Sequence, residues 1–212
     1  MKGYEKEYHT DKHRYLHNDE YYKARAKLTL KKYFNNVQRG QSVLEFGCGM
    51  GQNIYYLPNA YGYDISSYAL QKCREKRIKV YNDFDKVPEN SFDVVFSCHV
   101  LEHLEDPLKN IKQLRKKLKK DGKLILVLPV EKHRKASFRP DKNQHLYSWN
   151  FRTINNLLAK SGFKVTENEY LRGKAYMKLL PFSSISFGLY SFLTGFAGLF
   201  GGKEMKIVAV KK

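Results

Sequence analysis

The chain predicts an α/β protein, a doubly wound and mostly parallel sheet with helices on both faces. Three observations carry this expectation. Short apolar runs alternate with helical stretches along most of the 212 residues, the pattern of strands joined by crossover helices. The run Val43-Leu44-Glu45-Phe46 passes directly into Gly47-Cys48-Gly49-Met50-Gly51, a strand feeding a turn whose backbone can approach a ligand closely. Leu108, Ile111, Leu114 and Leu118 recur at helical spacing with lysines and Arg115 between them.

Taken in order, residues 19–36 read as a helix, and strands are expected at Val43–Phe46, Tyr61–Tyr63, Lys79–Tyr81, Asp93–Ser97 and Lys123–Leu128. A further helix should follow the three glycines. The helix Leu108–Leu118 should stop at Lys120-Asp121-Gly122, and Thr153–Ser161 should stop at Gly162. Two more strands, Phe163–Glu167 and Lys206–Val210, come last, with a long insertion between them.

The length suits one domain, and 42% hydrophobic with 14% aromatic residues excludes a disordered chain. The net charge of +18 suits polyanionic partners, among them nucleic acid, acidic membrane surfaces and charged glycans, or else a well-solvated basic surface. Three cysteines without metal-ligand spacing, Cys48, Cys73 and Cys98, read as reduced thiols, and the first residues hold no apolar run of a secretory signal. A cytoplasmic protein is expected.

The glycine turn is not that of a dinucleotide site, because its third glycine comes one residue early for G-x-G-x-x-G. Glu45, at the end of the strand, would repel a phosphate and suits a ligand that carries an ammonium. Asp64, seventeen residues after Gly47, ends the second strand, where a carboxylate can accept both hydroxyls of a ribose. The alternative for Asp64 is an N-terminal cap for the helix that follows.

In this order the motifs resemble those of class I S-adenosylmethionine-dependent methyltransferases of the type 11 and 12 kind. Glu45 to Gly51 resembles their first motif and Asp64 their second-strand acid, while Asn82-Asp83-Phe84 follows the third strand where the family approaches the adenine. Ser91-Phe92-Asp93-Val94-Val95-Phe96-Ser97 resembles the fourth-strand motif. The turn at Lys120-Asp121-Gly122 departs from the family's L-x-P-G-G. The resemblance implies a Rossmann-like sheet of seven strands with the last antiparallel, S-adenosylmethionine as methyl donor and S-adenosylhomocysteine as product. It assigns the donor to Glu45, Gly47, Gly49, Gly51, Asn53, Asp64, Ile65, Asp83, Phe84, Ser97 and Cys98. It also implies one domain over 1–212, with a helical lid (1–40), a donor-binding core (41–130) and an acceptor side (131–212) that includes the apolar insertion 179–202.

A sulfonium makes its methyl electrophilic, so such an enzyme mainly aligns an acceptor and, where needed, removes a proton. His99, Glu102, His103 and His145 are the candidate bases, with His103 and His145 as the catalytic pair expected on the acceptor side. His99, Glu102 and His103 would share one face of a helix, like the E-x-x-E-H metal site of small-RNA 3′-end methyltransferases. The first position here is His rather than Glu, and the Glu-His pair also occurs in relatives with no metal, so no metal is expected.

From Leu179 to Gly202 there is no charged residue, and Lys174, Lys178, Lys203 and Lys206, which flank the segment, are expected to face solvent, free to meet anionic lipid. Its length would span a bilayer. Because it joins two strands of one sheet, an apolar surface element is expected, meeting a membrane interface, an acceptor or a partner. The expected acceptor is a small molecule, a glycan or a lipid-linked compound, the alternatives being RNA or protein, or a non-catalytic scaffold that binds the donor.

Overall fold

The computed structural model describes residues 6–11, 14–35, 37–131, 143–172, 177–199 and 203–212. In chain order its elements are α1 (Lys6–Asp11), α2 (Asp19–Tyr33), β1 (Val43–Phe46), β2 (Ala60–Tyr63), α3 (Ser67–Glu75), β3 (Lys79–Tyr81), β4 (Phe92–Cys98), α4 (Pro107–Lys117), β5 (Leu118–Pro129), α5 (Phe151–Lys160), β6 (Phe163–Arg172), α6 (Pro181–Ile185), α7 (Phe187–Ala197) and β7 (Lys203–Lys211). The seven strands form one sheet in the order β3-β2-β1-β4-β5-β7-β6. β1 to β5 run parallel, and β7 runs antiparallel to both β5 and β6. The strand order reverses between β1 and β4, so the ligand crevice of such a sheet opens at their carboxyl ends.

Strand alternation builds a core on each face. Leu44, Val95, Leu124, Leu126 and Ile207 meet Ile111 and Leu114 of α4 and Ile154 and Leu158 of α5. Val43, Val94, Phe96, Ile125 and Val127 meet Leu30, Tyr33 and Phe34 from α2 and its end. α5 shows the local logic well. The Asn150 side chain accepts from Thr153 N, Thr153 bonds back, and Ile154 and Leu158, one turn apart, are fully buried. The cap contributes about 1 kcal/mol and each apolar side chain roughly 1.5–3 kcal/mol.

Four sequence expectations are corrected. No α-helix follows the glycines: residues 52–56 form turns, with Ile54 N bonded to Gly51 O and Leu57 N to Ile54 O, because Pro58 disfavours helix before it and β2 begins at Ala60. The helix expected over 19–36 ends at Tyr33, where Phe34 turns its ring onto Phe96, 4.6 Å between centroids. The helix expected to run to Lys120-Asp121-Gly122 ends at Lys117, and the left-handed backbone at Asp121, φ +58°, falls inside the fifth strand. α4 runs straight into β5, and the extra residues form an irregularity, since Phe92 pairs with Leu118 but Val94 with Lys123. Lys206 does not face solvent: it lies in an interior strand, is 2% exposed and donates to Asn35 Oδ1 at 3.0 Å.

The insertion is two helices, α6 and α7, and no helix among the described residues is long and apolar enough to cross a membrane. Tyr190 and Leu180 pack against Leu16, Tyr21, Tyr22 and Met50. The opposite side is open, with Ile185 74%, Phe192 69% and Phe196 57% exposed. Lys174 and residues 200–202 lie outside the described residues.

Candidate active site

The crevice is lined first by the glycine turn. Gly47, Gly49 and Gly51 have φ of +77°, +51° and +77°. A Cβ on Gly47 would lie 2.3 Å from Val100 Cγ2, so this backbone passes too close to the loop after β4 for any side chain. The amides of Gly47 and Cys48 both donate to Tyr63 O, at 2.8 and 2.9 Å, which clamps the turn to the end of β2.

Beneath the turn lies a buried polar group. Glu45 is fully buried, its Oε1 accepts from Asn53 Nδ2 at 2.6 Å, and its Oε2 has no hydrogen-bond partner. Burial pushes its carboxyl well above the usual range in spite of the Asn53 bond. Thr29 Oγ1 donates to Asn53 Oδ1 at 3.3 Å and so holds the amide toward Glu45. Arg25 of α2 lies within electrostatic reach of Glu45 and Cys98, and its Nε is buried without a hydrogen-bond partner.

Asp64 sits at the end of β2 as expected, half-buried, with Oδ2 accepting Gly49 N at 2.7 Å and Oδ1 accepting Ser66 N at 2.9 Å. It is not the helix cap. That role falls to Ser66, whose side chain accepts from Ala69 N. Ile65 is exposed beside it. Phe46, Tyr63, Asn82, Asp83 and Phe84, with Asn110 and Gln113 of α4, line a cleft of about 330 Å³. Phe84 packs edge-on against Phe46 at 5.1 Å between centroids.

Ser97 and Cys98 part company at the end of β4. Ser97 Oγ donates to Phe46 O at 3.0 Å, tying β4 to β1, whereas Cys98 packs on the α2 face, where burial pushes its thiol up. Next comes His99, with φ +56°, its amide on Val127 O and its ring between Glu204 (2.9 Å) and Glu102 (3.4 Å). The segment Leu101–His103 is a single 3₁₀ turn, so the expected helical face carrying His99, Glu102 and His103 does not form. His145 comes to this point instead. Its ring lies 4.8 Å from that of His103 between centroids and edge-on to it, and Nδ1 bonds to Glu131.

The family model for a methyltransferase domain matches residues 15–168. The chain is a class I S-adenosylmethionine-dependent methyltransferase. This methyltransferase is 35% identical over 102 residues to the tRNA U34 carboxymethyltransferase of Aeromonas hydrophila, covering 41% of the chain and 31% of that protein. It is 28% identical over 161 residues to phosphoethanolamine N-methyltransferase 2 of Caenorhabditis elegans, covering 67% of the chain and 37% of the relative. It thus spans about a third of the length of these relatives. Among solved structures, a SAM-dependent methyltransferase of Thermotoga maritima superposes with TM-score 0.65 at 18% identity, covering 97% of this chain and 98% of that one. Phosphoethanolamine N-methyltransferase 2 of Haemonchus contortus, solved with S-adenosyl-L-methionine, gives 0.58 at 19% identity, over 97% and 59%.

The residues present fit this methyl donor. The methyltransferase offers an unpartnered oxygen of buried Glu45 for an ammonium, a backbone cradle at Gly47 that a Cβ would fill, and a carboxylate, Asp64, at the rim. Sequence reasoning missed Arg25, the basic group that suits the donor's own carboxylate. The available signal was its position: Tyr22, Ala26, Thr29 and Tyr33 form the buried ridge of α2, and Arg25 stands one turn from both Tyr22 and Thr29.

Proposed function

We propose that this methyltransferase acts on a small-molecule, glycan or lipid-linked acceptor and meets it at a lipid surface through α6 and α7. One observation carries this reading: an exposed apolar face leaves the sheet at the crevice end. β7 starts opposite the carboxyl end of β5, Glu204 pairing with Pro129 and Lys203 with Arg172, so the insertion between β6 and β7 emerges at the crevice end of the sheet. Ile185, Phe192 and Phe196 face outward, and Lys27 and Lys31 of α2 flank them, over the Phe187 ring and on Ser191 Oγ. Phenylalanines with basic neighbours suit an anionic interface.

In this reading Glu45 holds the donor's ammonium, Gly47, Gly49, Gly51 and Asn53 follow its methionine part, and Asp64 takes the ribose. Ile65, Asp83 and Phe84 border the adenine, with Ser97 and Cys98 at the strand end. When bound, S-adenosylmethionine supplies an electrophilic methyl. His103 and His145 stand on the acceptor side.

Flotation of the intact protein with anionic liposomes, against a variant carrying I185S, F192S and F196S, tests the membrane part. The variant should stay in the dense fraction, and equal flotation of both would sink the proposal. Transfer of labelled methyl to lipid-linked and water-soluble acceptors then sorts the substrate class. The +18 charge and the tRNA-modifying relative favour RNA as the second reading, which predicts affinity falling steeply with salt.

A further inference from the structure

The loop between β3 and β4, read above as bordering the adenine, is held from behind by one side chain of α4. Lys117, the last residue of that helix, is only 6% exposed. Its Nζ donates to Val87 O at 2.6 Å and stands over the Phe84 ring, 5.1 Å from its centre. Among the described residues no carboxylate pairs with it. An ammonium buried with a single carbonyl partner is costly, and an apolar side chain of similar length would fill the same space without that cost. Stability alone therefore does not account for a lysine here.

The contacts of Lys117 run straight to the cleft. The end of α4 is tied to the loop by its backbone, Lys117 O accepting Ser91 N at 3.0 Å and Lys116 O accepting Asn90 N at 2.8 Å. Val87, whose carbonyl takes the ammonium, donates its own amide to Phe84 O at 3.2 Å. Phe84 in turn packs against Phe46 and Tyr63, 5.1 and 5.0 Å between ring centroids, and the three line the cleft with Asn82 and Asp83. A ring held only by edge-on and tilted neighbours can rock, whereas a cation over its face is drawn to the ring quadrupole and favours one plane.

We propose that Lys117 is a positioning residue for the methyl donor. Its ammonium sets the plane of Phe84, against which the adenine packs, and through Val87 it fixes the loop that carries Asp83. It acts through these residues and not on the donor itself. The inference rests on the reading that puts the adenine at Asp83 and Phe84.

Calorimetric titration of the full chain with S-adenosylhomocysteine tests it. K117M should weaken binding about tenfold, and K117R should restore it to within about twofold of the parent. K120M, which removes an exposed lysine of the same charge, should bind like the parent. In an F84L background K117M should cost no further affinity, because the ring through which Lys117 acts is gone. A lysine that only supported the fold would weaken binding equally in both backgrounds. K117Q, which keeps a donor for Val87 O but no charge, should also bind more weakly, and it decides the matter where K117M fails to fold. Parent affinity in the Lys117 variants, or an equal loss with and without F84L, overturns the inference. Weak binding by F84L beside normal binding by K117M sinks this inference alone, whereas an F84L variant that binds like the parent removes the adenine placement as well.

Discussion

His99 Nε2 lies 2.9 Å from Glu204 Oε1, joining the end of β4 to the start of β7 across 105 positions of sequence. The same carboxylate accepts from Tyr33 Oη at 2.8 Å and is paired with Lys32. Glu204 therefore anchors the exit of the insertion to both α2 and the crevice rim.

Burial alone would raise the Glu204 carboxyl, but the bond to His99 and the charge of Lys32 hold it well below the usual carboxylate range. A carboxyl depressed on folding adds stability above its unfolded pKa of about 4.3 and loses it as pH falls toward the folded value. E204Q should therefore cost about 3 kcal/mol at pH 7, the usual cost of breaking a buried pair. The deficit should shrink below about pH 4. Urea unfolding at both pH values checks this, and an equal deficit at both would refute it.

Glu45 has the opposite sign. Its carboxyl is raised by burial, so the charged form costs stability that is intact below the unfolded pKa and lost as pH rises through the folded one. E45Q should unfold at higher temperature than the parent at pH 8, with little difference near pH 4. It should also bind S-adenosylhomocysteine at least tenfold more weakly, and the parent's affinity should fall as Glu45 becomes protonated. A parent affinity independent of pH would remove Glu45 from the ammonium site.

Asp64 holds Gly49 N and stands at the ribose position. D64A should weaken S-adenosylhomocysteine binding by about 1.5–3 kcal/mol, roughly tenfold to a hundredfold, while the domain stays folded. Calorimetry decides it, unchanged affinity counting against the assignment.

G47A places a methyl 2.3 Å from Val100 Cγ2 and an L-residue at φ +77°. The clash and the left-handed backbone together should cost about 3 kcal/mol. V100A removes only the clash, so the double variant should be less destabilised than the sum of the two single ones. Strict additivity in a double-mutant cycle would show that the contact does not limit this position.

Much of the fold was legible because it is written in neighbours. β1 begins and ends where its apolar run predicts, since a strand buried on both faces needs a local run and nothing more. Asp64 was legible from its distance to the glycines. The missing helix after Gly51 was written in Pro58 and in the short span to β2, a signal that the strand-turn-helix pattern outweighed. Lys206 was misread because one lysine in a strand does not say whether that strand lies at an edge.

By itself the sequence determined the alternation of elements, the glycine turn with its acidic partners, and the apolar character of residues 179–202. Only the tertiary structure decided who meets whom. It brought Arg25 to Glu45, turned His99 away to Glu204, and set His145 against His103. The reason is physical: periodicity and turn chemistry act over a few residues, whereas these meetings follow from strand order, with β7 inserted between β5 and β6 and the crevice residues spread over several elements.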